Sequence, residues 1–325
     1  MSPFQRAIRW FYWILGFVVG LTFAAAGFFA RLMIRPPRQR LWTTPHEVGL
    51  PYTEVEFPAR DGVRLSGWLI PAASPNGDGQ TEKRPAVILV HGWPWNRLGS
   101  IGEGLLAAIM RSSPVEFLRL AYALHYAGYH LLLFDLRNHG RSAAAPPVSF
   151  GLLEANDLLG ALDYLDGRLG VDHQRIGVIG FSMGANTILH ALPRTRQIRA
   201  AVCVQPTSPT IFARGYGAAL MGPFSQLVQP IAEMFYQAAG GLRLSALDPI
   251  FAASSAGPTP ILYVQGQGDR WGSVDNVLRM AAVTPQAAEP LIVRSEGRFG
   301  GYQYVIEHPE VILRFLEAEM TSTIS

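Results

Sequence analysis

Cysteine is nearly absent from this 325-residue chain, which has only Cys203 in the apolar stretch 201–204. A single cysteine excludes an intramolecular disulfide and a cysteine-based zinc cluster, so we expect Cys203 to be a small buried core residue. Charge is also scarce, because Asp, Glu, Lys and Arg make up 16% of the residues and the net charge is +3. No run rich in Lys or Arg lies beyond residue 40, so we expect no nucleic-acid partner. The sequence also lacks a metal-ligand cluster and a glycine-rich phosphate loop, so we expect no cofactor.

One long uncharged stretch distinguishes the N-terminus from a soluble domain. Residues 10–30 carry no charge, and about 20 apolar residues in a helix are enough to span the hydrocarbon core of a bilayer. Trp10 and Trp13 suit the aromatic belt at a membrane interface. We predict a single-pass membrane anchor at residues 1–34. A cleaved signal peptide is the alternative, since residues 24–26 are all alanine, although its apolar region normally runs only about 7–15 residues.

The charges on either side of this stretch predict its orientation. Two arginines precede it and four follow it, namely Arg6, Arg9, Arg31, Arg35, Arg38 and Arg40. The excess after the stretch favours a cell-membrane protein whose C-terminal part lies on the cytoplasmic side. Residues 35–51 contain Pro36-Pro37 near their start and read as a linker, and residues 52–325 then form the folded domain.

The folded domain shows short apolar runs that alternate with amphipathic helices. This alternation predicts a mostly parallel sheet with helices on both faces, preceded by a hairpin around Asp61-Gly62. Residues 206–258 break the alternation, since they contain no strand-like run. We predict a helical lid there, with a helix that simply packs on the core as the alternative. Apolar residues recur at helical spacing in this segment: Leu220, Met221, Phe224, Leu227, Val228, Ile231, Met234 and Phe235.

A serine lies between a predicted strand and a predicted helix in the sequence Gly180-Phe181-Ser182-Met183-Gly184. The strand covers residues 175–179 and the helix 183–192. In this setting the pattern G-x-S-x-G predicts a nucleophile elbow, in which a sharp turn exposes the serine hydroxyl. The start of the following helix directs backbone N–H groups towards developing negative charge. We therefore expect Ser182 to be a catalytic nucleophile.

Two further motifs end neighbouring apolar runs. His91-Gly92-Trp93 follows residues 86–90, and Asp135-Leu136-Arg137-Asn138-His139-Gly140-Arg141-Ser142 follows residues 129–134. With the elbow at Ser182, they resemble the α/β-hydrolase superfamily, and within it the bacterial serine hydrolases of the serine-aminopeptidase and esterase-like group. The resemblance runs from about residue 50 to 320. It implies an α/β-hydrolase fold and an enzyme that cleaves an ester or amide bond of a small acyl or hydrophobic substrate.

The resemblance also implies roles for individual residues. The backbone N–H groups of Trp93 and Met183 would form the oxyanion hole. Asp269 ends the segment Gly266-Gln267-Gly268-Asp269, which matches the position of the family's catalytic acid. His91 and His139 would hold the loops around the site rather than act as bases.

The expected catalytic histidine is missing. Members of the family carry it in a segment similar to G-A-G-H, and the matching segment here is Ser295-Glu296-Gly297-Arg298. Arg298 therefore occupies the histidine position, and its guanidinium stays protonated at physiological pH, so it cannot act as a base. His308 is the only histidine that follows Asp269, and its Glu307-His308-Pro309 setting resembles the start of the family's last helix.

Three hypotheses follow from this substitution. The chain is a serine hydrolase with an unusual base, either His308 or an activated water. Alternatively, it is a catalytically inactive pseudohydrolase that serves as a ligand-binding or interaction module. In the third hypothesis Arg298 is an isolated variant of an active ancestor, since His and Arg codons can differ by one base.

Overall fold

A computed structural model describes residues 2–73, 83–103, 108 and 112–321 of the chain. Within these residues, eight strands form one sheet and two short strands form a separate ribbon. The strands in chain order are β1 (Thr53–Pro58), β2 (Arg64–Ile70), β3 (Arg84–Val90), β4 (Gly99–Ser100), β5 (Val115–Glu116), β6 (His130–Phe134), β7 (Val171–Phe181), β8 (Ile198–Val204), β9 (Ile261–Gly266) and β10 (Leu291–Val293).

The large sheet has the strand order β1-β2-β6-β3-β7-β8-β9-β10. β1 and β2 form an antiparallel hairpin, and β2 also pairs antiparallel with β6. The remaining neighbours are parallel. Successive side chains of β3 enter two different core clusters, Ile88 in one and Leu89 in the other, because side chains alternate between the faces of a sheet. Both faces are therefore covered, and the predicted fold class is confirmed.

Helices connect the strands and cover the sheet. They are α1 (Pro3–Ile34), α2 (Phe117–Tyr126), α3 (Ala155–Asp166), α4 (Met183–Ala191), α5 (Pro209–Met221), α6 (Ser225–Ala238), α7 (Ile250–Ala253), α8 (Val274–Val283), α9 (Gly297–Glu307) and α10 (Pro309–Thr321). Single turns of 3₁₀ helix lie at Pro45–Val48, Leu192–Arg194, Gly222–Phe224 and Leu244–Leu247. Cys203 lies on β8 and is fully buried, as predicted for a core residue.

α1 is the one helix in the described part of the chain that is long and apolar enough to cross a membrane. Its first two turns and most of its uncharged stretch have exposed apolar side chains. Towards its C-terminal end, Thr22, Ala26 and Ala30 are buried. The first part of α1 is thus free of protein contacts while the last part packs on the folded domain. That it anchors the chain in a membrane stays a prediction at this point.

Residues 206–258 contain α5, α6 and α7 and no strand, so the expected interruption of the alternation is present. α6 packs on α1 through Val228 and Ala232, which surround Ala26. The expected single apolar face is wrong in part, since Leu227 and Met234 are 56% and 52% exposed. These two side chains turn away from α1 and the sheet, a distinction that helical spacing alone does not make.

Candidate active site

Ser182 stands at the turn between β7 and α4, where its backbone has φ 54° and ψ −115°. Such a positive φ is strained for a residue with a side chain, and strain of this kind is concentrated at functional sites. The turn is held by a hydrogen bond that the Ser182 N–H donates to the Val204 carbonyl at 2.9 Å. The geometry is that of the nucleophile elbow that the sequence predicts.

The two glycines of the elbow are required by close backbone packing. A Cβ atom at Gly180 would lie 2.5 Å from the Gly184 carbonyl group. A Cβ atom at Gly184 would lie 2.2 Å from the carbonyl oxygen of Val90, at the end of β3. Since the obstructing atoms belong to the backbone, no side-chain rearrangement could relieve either contact.

The backbone that follows β3 approaches Ser182 from the other side. A Cβ atom at Gly92 would lie 3.1 Å from the Ser182 Cβ atom, so the loop touches the serine directly. Trp93, Ser182 and Met183 line the same cavity. Met183 begins α4, whose N-terminal end favours negative charge. The placement suits the predicted oxyanion hole at Trp93 and Met183, whose role stays a prediction.

The guanidinium of Arg298 lies between Asp269 and Ser182. Its Nη1 donates to Asp269 Oδ2 at 2.5 Å, and its Nη2 donates to Ser182 Oγ at 3.0 Å. Asp269 is 8% exposed, and its Oδ1 accepts from the backbone N–H groups of Trp271 and Gly272. The structure therefore brings the predicted nucleophile, the predicted acid and Arg298 together. Arg298 takes the bridging place that a histidine base would fill.

Further contacts hold the guanidinium in this position. Nη2 also donates to the Gln205 carbonyl at 3.1 Å and to Thr207 Oγ1 at 3.0 Å. Burial acts to lower the pKa of Arg298, but Asp269 and Tyr302 raise it more, so the net shift of the pKa is upward. Arg298 is therefore a fixed cation that donates to the serine oxygen and cannot accept its proton.

Gln205, Thr207 and Tyr302 belong to this site although the sequence did not single them out. Gln205 and Thr207 follow β8 at the carboxyl edge of the sheet, where open α/β sheets bind ligands, so their position could have indicated them. Tyr302 lies one helical turn after Arg298 on α9. Burial is the main cause that raises the pKa of the Tyr302 phenol, which remains protonated near neutral pH.

His308 is not part of this cluster. It follows the last residue of α9, ten residues after Arg298, and a helix rise of 1.5 Å per residue separates the two by roughly 15 Å. Its side chain is 48% exposed, and its Nδ1 pairs with Glu310 at 3.2 Å. Across the described residues the structure shows no contact between His308 and Ser182.

The two histidines of the loop motifs, His91 and His139, are fully buried. His91 Nε2 accepts a hydrogen bond from the Leu136 N–H at 2.9 Å, which ties the loop after β3 to the loop after β6. His139 Nδ1 contacts the Arg137 carbonyl at 2.8 Å. Burial lowers the pKa of His91 to about 3, so this side chain is neutral. Both contacts agree with the loop-holding role that the sequence resemblance implies.

A cavity of about 750 Å³ opens beside Ser182. Its wall is mainly apolar. The residues that line it include Phe29, Leu32 and Met33 of α1, Trp93 of the loop after β3, Met183 of the elbow, and Phe212, Tyr216, Met221 and Val228 of α5 and α6.

Known proteins resemble this chain in sequence and in fold. The family model described as the α/β-hydrolase fold matches residues 85–227. An esterase of Pyrococcus furiosus superposes with a TM-score of 0.64 and is 26% identical, over 89% of this chain and 98% of the esterase. The chain has the α/β-hydrolase fold. Its sheet order, elbow and cavity are those of an α/β hydrolase, and the predicted resemblance is confirmed.

Other relatives match a smaller share of this chain, or match it at lower sequence identity. An uncharacterized protein of Mycobacterium tuberculosis is 36% identical over 132 residues, and the match spans 38% of that protein's length. The YfhR protein of Salmonella typhimurium is 23% identical over 276 residues, which cover 82% of either chain. The chain thus spans about two fifths of the length of the first curated relatives, although it spans most of YfhR.

Proposed function

We propose that this chain is a membrane-anchored serine hydrolase of the esterase type, in which Ser182 attacks an acyl carbonyl and Arg298 limits turnover. The observation that carries the proposal is the bridge from Asp269 through the Arg298 guanidinium to Ser182 Oγ. The similarity to the Pyrococcus furiosus esterase supports the reaction class. The cavity beside the serine supports a hydrophobic acyl group.

The chemistry follows from what each group can do with a proton. Ser182 Oγ forms a bond to the acyl carbon, the carbonyl oxygen becomes an oxyanion, and the N–H groups of Trp93 and Met183 stabilise it. The alcohol then leaves, and water releases the acyl group from the serine. Both halves require a base, and Arg298 cannot accept a proton. Hydroxide or a bound water must remove the proton of the Ser182 hydroxyl, while the positive charge of Arg298 favours the serine alkoxide.

The expected activity is therefore weak but measurable. Removal of a triad member can reduce kcat by as much as ~10⁶, and the oxyanion hole and substrate binding alone leave about 10³–10⁴ over the reaction in water. The position of His308, just after the last residue of α9, does not support the hypothesis that His308 is the base.

The membrane part of the proposal is carried by α1. The helix has 32 residues, and the arginines that follow its uncharged stretch outnumber those before it. This charge pattern favours a single-pass cell-membrane protein with the hydrolase domain on the cytoplasmic side. In this arrangement α5 and α6 form a lid over the cavity.

A ligand-binding module without turnover is the second candidate. The observation that favours it is the set of three acceptors around Arg298 Nη2, which holds Ser182 Oγ together with the Gln205 carbonyl and Thr207 Oγ1. An acyl ligand could then occupy the cavity without reacting.

The test compares the full chain with Ser182→Ala in detergent micelles, using p-nitrophenyl butyrate and a fluorophosphonate probe. We expect slow hydrolysis and slow labelling that both require Ser182, and His308→Ala should leave both rates unchanged. Equal hydrolysis by the parent and Ser182→Ala, with no labelled serine, would reject the hydrolase and favour the binding module. Loss of activity in His308→Ala would instead reject the view that the site lacks a histidine base.

A further inference from the structure

The anchor helix forms part of the cavity that contains the nucleophile. Phe29, Leu32 and Met33 of α1 line the cavity, and Ser182 lines it as well. The Phe29 ring contacts the Tyr216 ring edge to face, with centroids 6.3 Å apart. A helix that served only to tether the domain would not need to complete its binding cavity.

The level of the cavity along α1 corresponds to an edge of the bilayer. From Trp10 to Phe29 the helix rises roughly 29 Å at 1.5 Å per residue, which is close to the thickness of the hydrocarbon core. Trp10 starts the uncharged stretch, and Arg31 and Arg35 follow its end. With the stretch in the membrane, Phe29 lies at the boundary between acyl chains and headgroups.

α6 would lie against the same boundary. Its Phe235 ring stands 6.2 Å from the ring of Phe23, which belongs to the uncharged stretch. Leu227 and Met234 of α6 are exposed. The one charged residue of α6, Glu233, turns to the protein, where it accepts a hydrogen bond from the Leu244 N–H at 2.9 Å. The outer face of α6 therefore presents apolar side chains to the membrane surface.

We propose that the cavity receives its substrate from the bilayer and that the substrate is an acyl ester of a membrane glycerolipid. The acyl chain would lie between α1, α5 and α6, and the ester carbonyl would reach Ser182 at the inner end. The cavity volume of about 750 Å³ is ample for an acyl chain. The cleavage step rests on the function proposed above: the acyl C–O bond breaks, the acyl group passes to Ser182 and then to water, and the headgroup alcohol takes up a proton. Lipid binding itself requires no turnover.

The test uses the full chain in phosphatidylcholine vesicles that contain a phosphatidylcholine with a diazirine at the end of one acyl chain. After irradiation, labelled residues are mapped by mass spectrometry. We expect labels on the exposed half of α1, within residues 10–21, and also on Phe150 and Met183, which line the cavity and belong to segments other than α1. The α1 labels report contact with bulk lipid and serve as the internal standard.

Two tryptophan variants on α5 provide the matched comparison. Ala213 lines the cavity, whereas Ala219 lies on the same helix with an exposed side chain outside the cavity wall. Ala213→Trp should lower the Phe150 and Met183 labels about fivefold or more, because an indole would occupy space in the cavity that the acyl chain needs. Ala219→Trp should leave them unchanged.

A second pair of variants tests entry from the membrane. Leu227→Glu with Met234→Glu places charge on the face of α6 that would meet the bilayer, and Gln237→Glu adds the same kind of charge at an exposed polar position of α6. We expect the former to lower the cavity labels about threefold and the latter to leave them intact. Equal loss in both would contradict entry past α6.

The possible outcomes distinguish the proposal of lipid binding from the proposal of hydrolysis by Ser182. Labels on α1 without labels at Phe150 or Met183 would overturn the lipid proposal, as would an absence of labels on α1. Labelling of the cavity by a micellar diazirine fatty acid but not by the vesicle lipid would overturn the bilayer as the source. Cavity labels from the lipid, with no release of fatty acid that depends on Ser182, would support the lipid and reject the hydrolase.

Discussion

Replacement of Arg298 by histidine should convert the site into a complete triad. The two Nη atoms of the guanidinium are separated by one carbon, as are the two nitrogens of an imidazole, so the nitrogen spacing of the two groups is similar although the histidine side chain is shorter. In the present structure that gap is closed by contacts of 2.5 Å to Asp269 and 3.0 Å to Ser182. An imidazole there would donate to Asp269 and accept the proton of Ser182.

The expected gain follows from what a general base contributes. A positioned base accelerates a reaction by about 10²–10⁴, so Arg298→His should raise the Ser182-dependent kcat/KM by that factor. The corresponding decrease in the activation free energy is about 3–5 kcal/mol, at 1.36 kcal/mol for each factor of ten. Activity of Arg298→His should also rise with pH through the imidazole pKa, near 6.5, and then level off.

The assay is hydrolysis of p-nitrophenyl butyrate by full-length parent, Arg298→His, Arg298→Gln and the double variant that adds Ser182→Ala. Arg298→Gln removes the charge without adding a base, so it should not gain activity. Thermal unfolding shows whether each variant is folded. A folded Arg298→His with no gain, or an equal gain in Arg298→Gln, would show that the site lacks more than a base.

Three other predictions concern the scaffold. Gly184→Ala places a Cβ atom 2.2 Å from the Val90 carbonyl oxygen, so we expect a loss of about 1–3 kcal/mol in the free energy of unfolding and a slower reaction of Ser182 with fluorophosphonate. Burial raises the pKa of the Cys203 thiol well above its usual range, so a thiol reagent such as 5,5′-dithiobis(2-nitrobenzoate) should react only when the chain unfolds. Burial also lowers the pKa of His91 to about 3, while the unfolded chain binds a proton there below about pH 6.5. Stability should therefore fall as the pH decreases through this range, by about 2 kcal/mol from this residue at pH 5, which guanidinium unfolding at pH 7.5 and pH 5 would measure against His91→Gln.

Local sequence patterns were sufficient to predict the sharp turn at Ser182 and its position between a strand and a helix. The elbow at Ser182 depends on a strand, a sharp turn and a helix that are adjacent in sequence, and the glycines report close backbone packing. The place of Arg298 opposite Asp269 followed from the family resemblance at the ends of two strands, and the structure has both in contact. These features are encoded over a few residues each.

Features that arise from distant parts of the chain were not predictable in this way. The packing of α1 on α6 joins segments about 200 residues apart, and neither segment has a sequence pattern that identifies the other as its packing partner. The exposed Leu227 and Met234 have the same helical spacing as the buried Val228, so periodicity could not separate them. Gln205 meets Arg298 only because β8 ends and α9 begins at the same edge of the sheet.

In the proposed mechanism, no side chain acts as a base for Ser182. This can be tested through the rate constant for fluorophosphonate labelling of Ser182 in the unmodified full-length chain between pH 5.5 and 9.5. If hydroxide removes the serine proton, the rate should increase about tenfold for each pH unit, without levelling off near neutral pH. A rate that rises to a plateau with an apparent pKa between 6 and 7 would show that a histidine serves Ser182 as its base and would rule out this mechanism.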